Sequence, residues 1–223
     1  MSGTVYLFDA YGTLLDVHSA VARHKGAIGP QAERLSELWR SKQLEYTWVR
    51  SLMGAYQDFE CLTQQALDYA ASRCGGINAQ TRADLLNAYQ TLSAYRDAAP
   101  CLSALRQAGA RTGILSNGTR HMLQKAIEAA GLSKLFDAVI SVDELRLYKT
   151  SPLVYEKARS LFDVPAGQVI FVSSNRWDVA GASRFGFQAH WINRAGLADE
   201  YADCPPKGVH KTLDGLLNGL RSA

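Results

Sequence analysis

The apolar run Val5-Tyr6-Leu7-Phe8 passes directly into Asp9-Ala10-Tyr11-Gly12-Thr13. A short, uninterrupted apolar stretch predicts a strand buried on both faces, as parallel sheets require. An acid at the C-terminal end of such a strand sits where open α/β sheets gather their loops. Gly12 then lets the chain turn sharply and approach a ligand closely. Four further runs of the same kind occupy residues 112–115, 138–141, 169–172 and 189–192. Amphipathic segments at 100–108, 120–130, 152–162 and 179–185 separate the later ones. Strand and helix alternating at this pitch predict an α/β fold with a doubly wound parallel sheet, a Rossmann-like core. Ser151-Pro152 fits a helix start, with Ser as N-cap and Pro in the first turn.

Residues 17–96 break the alternation. Leu35, Leu38, Trp39, Tyr46, Val49, Met53 and Tyr56 recur at three- and four-residue steps, interrupted at Lys42. Leu62, Ala66, Leu67 and Ala70 repeat the spacing, as do Leu85, Leu86, Tyr89 and Leu92. This pattern predicts an inserted helical cap subdomain over residues 17–96, folded above the sheet edge that carries Asp9. Residues 1–16 and 97–223 then form the α/β core domain.

Composition narrows the function classes. A formal net charge of +3, with basic residues dispersed, gives no footing for nucleic acid. No run of about 18 apolar residues predicts a membrane span, and no basic-then-apolar leader begins the chain. The four cysteines, Cys61, Cys74, Cys101 and Cys204, show neither C-x-x-C pairing nor neighbouring histidines. That pattern predicts no zinc site, and scattered thiols in a cytoplasmic protein.

Four loops are expected to meet at the C-terminal sheet edge. They carry Asp9, Ser116-Asn117-Gly118, Lys149, and Ser173-Ser174-Asn175-Arg176-Trp177-Asp178. Singly, each has an ordinary reading as turn residue, helix cap or solvated lysine. Jointly, two carboxylates, a lysine and a Ser-Asn-Gly turn ending successive strands predict an active site. The chemistry fits a carboxylate nucleophile, which must be ionised to attack. A lysine at about 4 Å favours that state by about 4 kcal/mol at an effective dielectric of about 20. The helix starts near Asn117 and Asp178 add amide donors for an anionic substrate.

The order Asp9, Ser116, Lys149, Asp178 resembles the haloacid dehalogenase superfamily. The segments Phe8-Asp9-Ala10-Tyr11-Gly12-Thr13-Leu14, Trp39-Arg40-Ser41-Lys42-Gln43-Leu44-Glu45-Tyr46, Leu115-Ser116-Asn117-Gly118 and Phe171-Val172-Ser173-Ser174-Asn175-Arg176-Trp177-Asp178 resemble its type II L-2-haloacid dehalogenases. The resemblance implies hydrolysis of short L-2-haloalkanoic acids to D-2-hydroxy acids through an ester on Asp9. It implies that Asp178 activates water, supported by Lys149, Ser173 and Asn175, while Thr13 holds Asp9 and Tyr155 completes the polar network. By the same resemblance Ser116 binds the substrate carboxylate. Arg40 and Asn117, backed by Phe59, cradle the halide, and Tyr11, Leu44 and Trp177 wall the alkyl group. No cofactor or metal is implied. The implied partners are a small halogenated carboxylic acid, the halide product and a second copy in a homodimer, with the cap's Trp and Tyr residues as contact points.

Phosphatases on this scaffold are the main alternative. They carry a second acid two residues after the nucleophile to protonate a poor alkoxide leaving group. Tyr11 stands there instead, and a halide leaves without a proton. Among residues 173–178 only Asp178 is acidic, a thin set for the Mg²⁺ that phosphoryl transfer uses. A catalytically inactive binding module on the same fold would need a broken site, yet Asp9, Lys149 and Asp178 are all present. Thr150, Ser41 and Arg176 depart from the family pattern, and the Thr150 change is expected to loosen the loop that carries Lys149.

Overall fold

The computed structural model describes residues 4–219, so the outer ends of the expected core domain lie outside the described residues. Strands β1 (Val5–Phe8), β2 (Arg111–Ser116), β3 (Ala138–Ser141), β4 (Val169–Ser173), β5 (Gln188–Ile192) and β6 (Gly208–His210) form one sheet ordered β3-β2-β1-β4-β5-β6. Every pairing is parallel. All four β1 residues are buried, as the unbroken apolar run requires of a strand flanked on both sides. Phe8 lies in register with Ile114 on one side and Val172 on the other. From β1 the chain crosses to β2, whereas from β4 it crosses the opposite way to β5. The crevice of an open α/β sheet opens at such a reversal, between the C-terminal ends of β1 and β4. Asp9 continues β1 there, its N–H donating to Val172 O at 2.9 Å.

Between β1 and the next core helix run α1 (Ser19–Arg23), α2 (Lys25–Ile28), α3 (Ala32–Leu52), α4 (Phe59–Arg73) and α5 (Ala79–Gln90). The Asp58 carboxylate caps α4 by accepting from Cys61 N at 2.7 Å, and Asn78 caps α5 by accepting from Thr81 N at 2.8 Å. Leu35, Trp39, Leu62, Ala66, Leu67, Ala70, Leu85 and Tyr89 are buried along the predicted stripes. Trp39 donates its indole N–H to Thr63 O at 2.8 Å, locking α3 onto α4.

Helix α3 runs straight through the gap that Lys42 leaves in the apolar spacing. Lys42 pairs with Glu45 at 2.7 Å and covers the Tyr69 ring, so a long amphipathic side chain continues the face. Val49 and Met53, on the same period, are 44% and 58% exposed.

The cap joins the core through two adjacent crossings. Leu15 bridges Ala94, Asp16 N donates to Ser93 O at 2.8 Å, and Tyr95 N donates to Leu14 O at 2.9 Å. Arg194 secures both crossings. It makes two bonds to Asp97, at 2.8 and 3.0 Å, and one to Thr13 O at 3.0 Å, with its guanidinium 4.0 Å from the Tyr95 ring centre.

The core helices are α6 (Ala98–Gln107), α7 (Arg120–Ala129), α8 (Pro152–Phe162) and α9 (Arg176–Phe185). Thr119 is the N-cap of α7, accepting from Met122 N at 3.2 Å, so Ser116 and Asn117 are released from that task. Ser151 does stand at the N-cap of α8 before Pro152, but its hydroxyl makes no capping bond. Helix α9 begins three residues before the expected Val179 because Asn175, in extended conformation, supplies the N-cap position.

Candidate active site

Asp9 is buried, and its two oxygens have different surroundings. Oδ1 accepts from Lys149 Nζ at 3.1 Å. Oδ2 accepts from Asn175 Nδ2 at 2.8 Å, Thr13 Oγ1 at 3.0 Å and Ser173 Oγ at 3.5 Å. The supporting groups are themselves tied down. Thr13 Oγ1 accepts from Ser174 N at 2.8 Å, and Ser173 Oγ accepts from Asn175 N at 3.0 Å. Gly12 permits this packing at φ 93°, where an ideal Cβ would lie 3.8 Å from Asn175 Nδ2 and 3.9 Å from Arg40 Nη2.

Lys149 is fully buried between two carboxylates, with Asp178 Oδ2 at 2.7 Å. Burial works against its charge, but Asp178 and Asp9 prevail and raise its pKa above the ordinary lysine value. Asp178 moves the other way from a normal paired carboxylate. Burial, reinforced by the negative charge of Asp9 and opposed by Lys149, pushes its pKa up to about 6. Tyr155 donates to Asp178 Oδ1 at 2.9 Å, and its own pKa is raised well above 10, first by burial and then by Asp178. Tyr155 therefore acts as a neutral donor. One end of the Lys149 loop is fixed by Lys149 N donating to Asn117 Oδ1 at 3.1 Å. Thr150 packs in the notch left by Gly181, where an ideal Cβ would lie 2.8 Å from it.

Tyr11 forms the aromatic wall, its ring centre 5.6 Å from Phe59 and stacked on Tyr89 at 5.7 Å and 12°. A side chain at Gly118 would meet the Tyr11 ring at 2.7 Å, which explains the glycine of the Ser-Asn-Gly turn. Ser116, at the end of β2, accepts from Gly118 N at 3.2 Å. Arg40 reaches across from α3: Nη2 donates to Tyr11 O at 3.0 Å and to Asn175 Oδ1 at 3.2 Å. Trp177 meets the cap through Trp48, edge to face at 5.4 Å and 80°. Leu44 lies one turn beyond Arg40 on α3, half-buried.

Sequence reasoning gave no role at this site to Gln43, Tyr89 or Trp48, although all three bear on this cluster. Gln43 was visible only as a glutamine three residues beyond Arg40, a spacing that puts both on one helix face. Of the departures, Ser41 is exposed. Arg176 is buried, ion-paired with Asp199 and donating to Tyr201 O at 3.0 Å and Cys204 O at 3.1 Å, which draws that loop onto the start of α9.

A family model for haloacid dehalogenase-like hydrolases matches residues 4–186, spanning Asp9, Lys149 and Asp178. The chain belongs to the haloacid dehalogenase-like hydrolases. Within this family it is 50% identical to (S)-2-haloacid dehalogenase 1 of Pseudomonas sp. (strain CBS-3), over 94% of this chain and 93% of that one. A crystal structure of a dehalogenase superposes with a TM-score of 0.94 at 45% identity, covering 97% of this chain and 96% of that one. The L-2-haloacid dehalogenase from Xanthobacter autotrophicus with chloropropionic acid covalently bound superposes with a TM-score of 0.89 at 37% identity, covering 98% of both chains. A haloacid dehalogenase-like hydrolase with an inserted helical cap is thus the fold of this chain.

Proposed function

We propose that this chain hydrolyses short (S)-2-haloalkanoic acids to the inverted 2-hydroxy acids through an ester on Asp9. The observation that carries the reading is the unequal dressing of the Asp9 oxygens. Oδ1, with one donor, is the nucleophile: it attacks the α-carbon from the side opposite the halogen, and the carbon–halogen electron pair leaves as halide. Oδ2 then becomes the ester carbonyl. When water attacks the Asp9 carboxyl carbon, negative charge gathers on Oδ2, where Asn175, Thr13 and Ser173 already stand as donors.

Asp178 takes the proton from that water, and the bond between the Asp9 carboxyl carbon and Oδ1 then breaks. Oδ1 leaves as the alkoxide oxygen of the product and receives the proton from Asp178 to become its hydroxyl, and the water oxygen stays behind in the regenerated Asp9 carboxylate. Lys149 holds its ammonium between the two carboxylates, and Tyr155 orients Asp178. Ser116 and nearby backbone amides receive the substrate carboxylate. Arg40 and the Nδ2 end of Asn117, with Phe59 behind, receive the halide. Tyr11, Leu44 and Trp177 enclose the alkyl group. The phosphatase alternative is not favoured: relatives matched along nearly the whole chain are dehalogenases, and Tyr11 offers an apolar face where an acid would be needed. An inactive binding module is a poor fit to Asp9, Lys149 and Asp178 joined in one buried ion-pair chain.

The test is single turnover in ¹⁸O-water with 2-chloropropionate and a chelator present. Label entering Asp9 before product, with chloride released, supports the ester route; label in product alone removes it. The same reading includes residues 17–96 as the cap, a cytoplasmic location supported by four free thiols, and a homodimer. Exposed Val49, Leu52, Met53 and Tyr69 on the cap support the dimer, which light scattering tests.

A further inference from the structure

Gln43 is fully buried in the cap, a costly place for an amide unless its hydrogen bonds are met. They are met from three helices. Its Oε1 accepts from Arg40 Nη1 at 2.9 Å and from Tyr89 OH on α5 at 3.0 Å. Its Nε2 donates to Thr63 Oγ1 on α4 at 2.7 Å, and that hydroxyl donates to Phe59 O at 2.6 Å. The amide therefore cannot rotate: one end must accept and the other must donate. Arg40 is thus held at both ends of its guanidinium, by Gln43 on Nη1 and by Tyr11 O and Asn175 Oδ1 on Nη2. Tyr89 also stacks on Tyr11, and Phe59 leans on the same ring.

We infer that Gln43 is a positioning residue that aims the Arg40 guanidinium at the departing halide, with Thr63 as the anchor that sets its amide orientation. The inference rests on the dehalogenase reading above. A guanidinium on a four-bond side chain loses most of its value as a charge stabiliser if it must be reoriented during the reaction. Fixing it in advance matters most for the leaving group that most needs help. Chloride is a poorer leaving group than bromide, so loss of Gln43 penalises the chloro substrate more.

The experiment compares kcat/KM for 2-chloropropionate and 2-bromopropionate, which reports on steps through halide departure, in the wild type, Gln43→Met and Thr63→Val. Inhibition by added bromide is measured in each. For Gln43→Met, kcat/KM for the chloro substrate should fall about tenfold or more, the bromo-to-chloro ratio should rise, and bromide inhibition should weaken. Thr63→Val, nearly isosteric, should shift the ratio in the same direction by less. A purely structural role would lower both substrates in proportion and leave the ratio and bromide inhibition where they were. An unchanged ratio in both variants, with wild-type halide release intact, overturns the Gln43 assignment and leaves the dehalogenase reading standing. No halide release by the wild type from either substrate removes that reading and this inference with it. Should Gln43→Met fail to fold, Thr63→Val decides the matter by the same ratio.

Discussion

Asp178 and Lys149 are both completely buried and lie 2.7 Å apart, yet Asp178 is the group that burial moves toward its neutral form. The second carboxylate on the same ammonium, Asp9, tips that balance. A carboxyl with its pKa raised to about 6 can lose and regain a proton near neutrality, as water activation demands. In the proposed reaction the carboxylate is the active form, so turnover should rise with pH through about 6 and level off above it. A kcat–pH profile checks this, and an acidic limb centred near the ordinary aspartate value of about 3.9 would contradict it.

Tyr155 stabilises the charged form of Asp178, so Tyr155→Phe should move the acidic limb to higher pH as well as slow turnover by about tenfold. Gly181→Ala offers a second route to the same displacement. Its Cβ would fall 2.5 Å from the Tyr155 hydroxyl and 2.8 Å from Thr150. Helix propensity favours alanine by about 1 kcal/mol, whereas overpacking costs about 1–3 kcal/mol. The melting temperature should therefore fall, with the limb shifting as in Tyr155→Phe. A limb that stays put in both variants would detach Tyr155 from Asp178.

Removing Lys149 leaves two carboxylates buried without a counter-charge. Lys149→Met should cost about 3–5 kcal/mol of stability and abolish turnover. Adding Asp9→Asn should restore part of that stability, since one of the stranded charges is gone, while Asp9→Asn alone also abolishes turnover. Urea denaturation of the four proteins closes a double-mutant cycle, and strict additivity would mean that the pair does not interact.

At the far side of the sheet His190 and His210 stack with a 3.0 Å contact between ring nitrogens. Burial, then the charges of His210 and Lys207, lowers the His190 pKa to about 4, and burial lowers that of His210. The unfolded chain thus binds protons before the folded one does. Stability from this pair is complete above about pH 6.5 and is lost as pH falls toward 4. His210→Gln should flatten the fall in melting temperature across that window relative to the wild type. An unaltered slope would show that the pair is not the origin.

Of the six strands among the described residues, five were legible as short, largely apolar runs, the clearest being Val5 to Phe8, where burial on both faces leaves the run unbroken. Strand β6 escaped notice: it is three residues long, its central Val209 is exposed, and it pairs only with β5. The start of α9 was hidden because Asn175, Arg176 and Asp178 face the site or the 199–204 loop, so polar chemistry masks the helical period. Val49 and Met53 show the reverse failure, a correct period on a face that the single chain leaves open. Gln43 carried no signal of its own. Its importance lies in three partners spread over residues 40 to 89, which only the folded cap assembles.

The central position of β1 has a consequence for biosynthesis. Strand β1 needs a neighbour on each flank, and one of those neighbours is β4, made some 160 residues later. Until the chain is translated past Asp178, Asp9 has neither its second flank nor its counterpart across Lys149. In the proposed reaction the attacking carboxylate and the water-activating one therefore come into being in a single folding step, since β1 and β4 must pair before Asp9 and Asp178 can share Lys149.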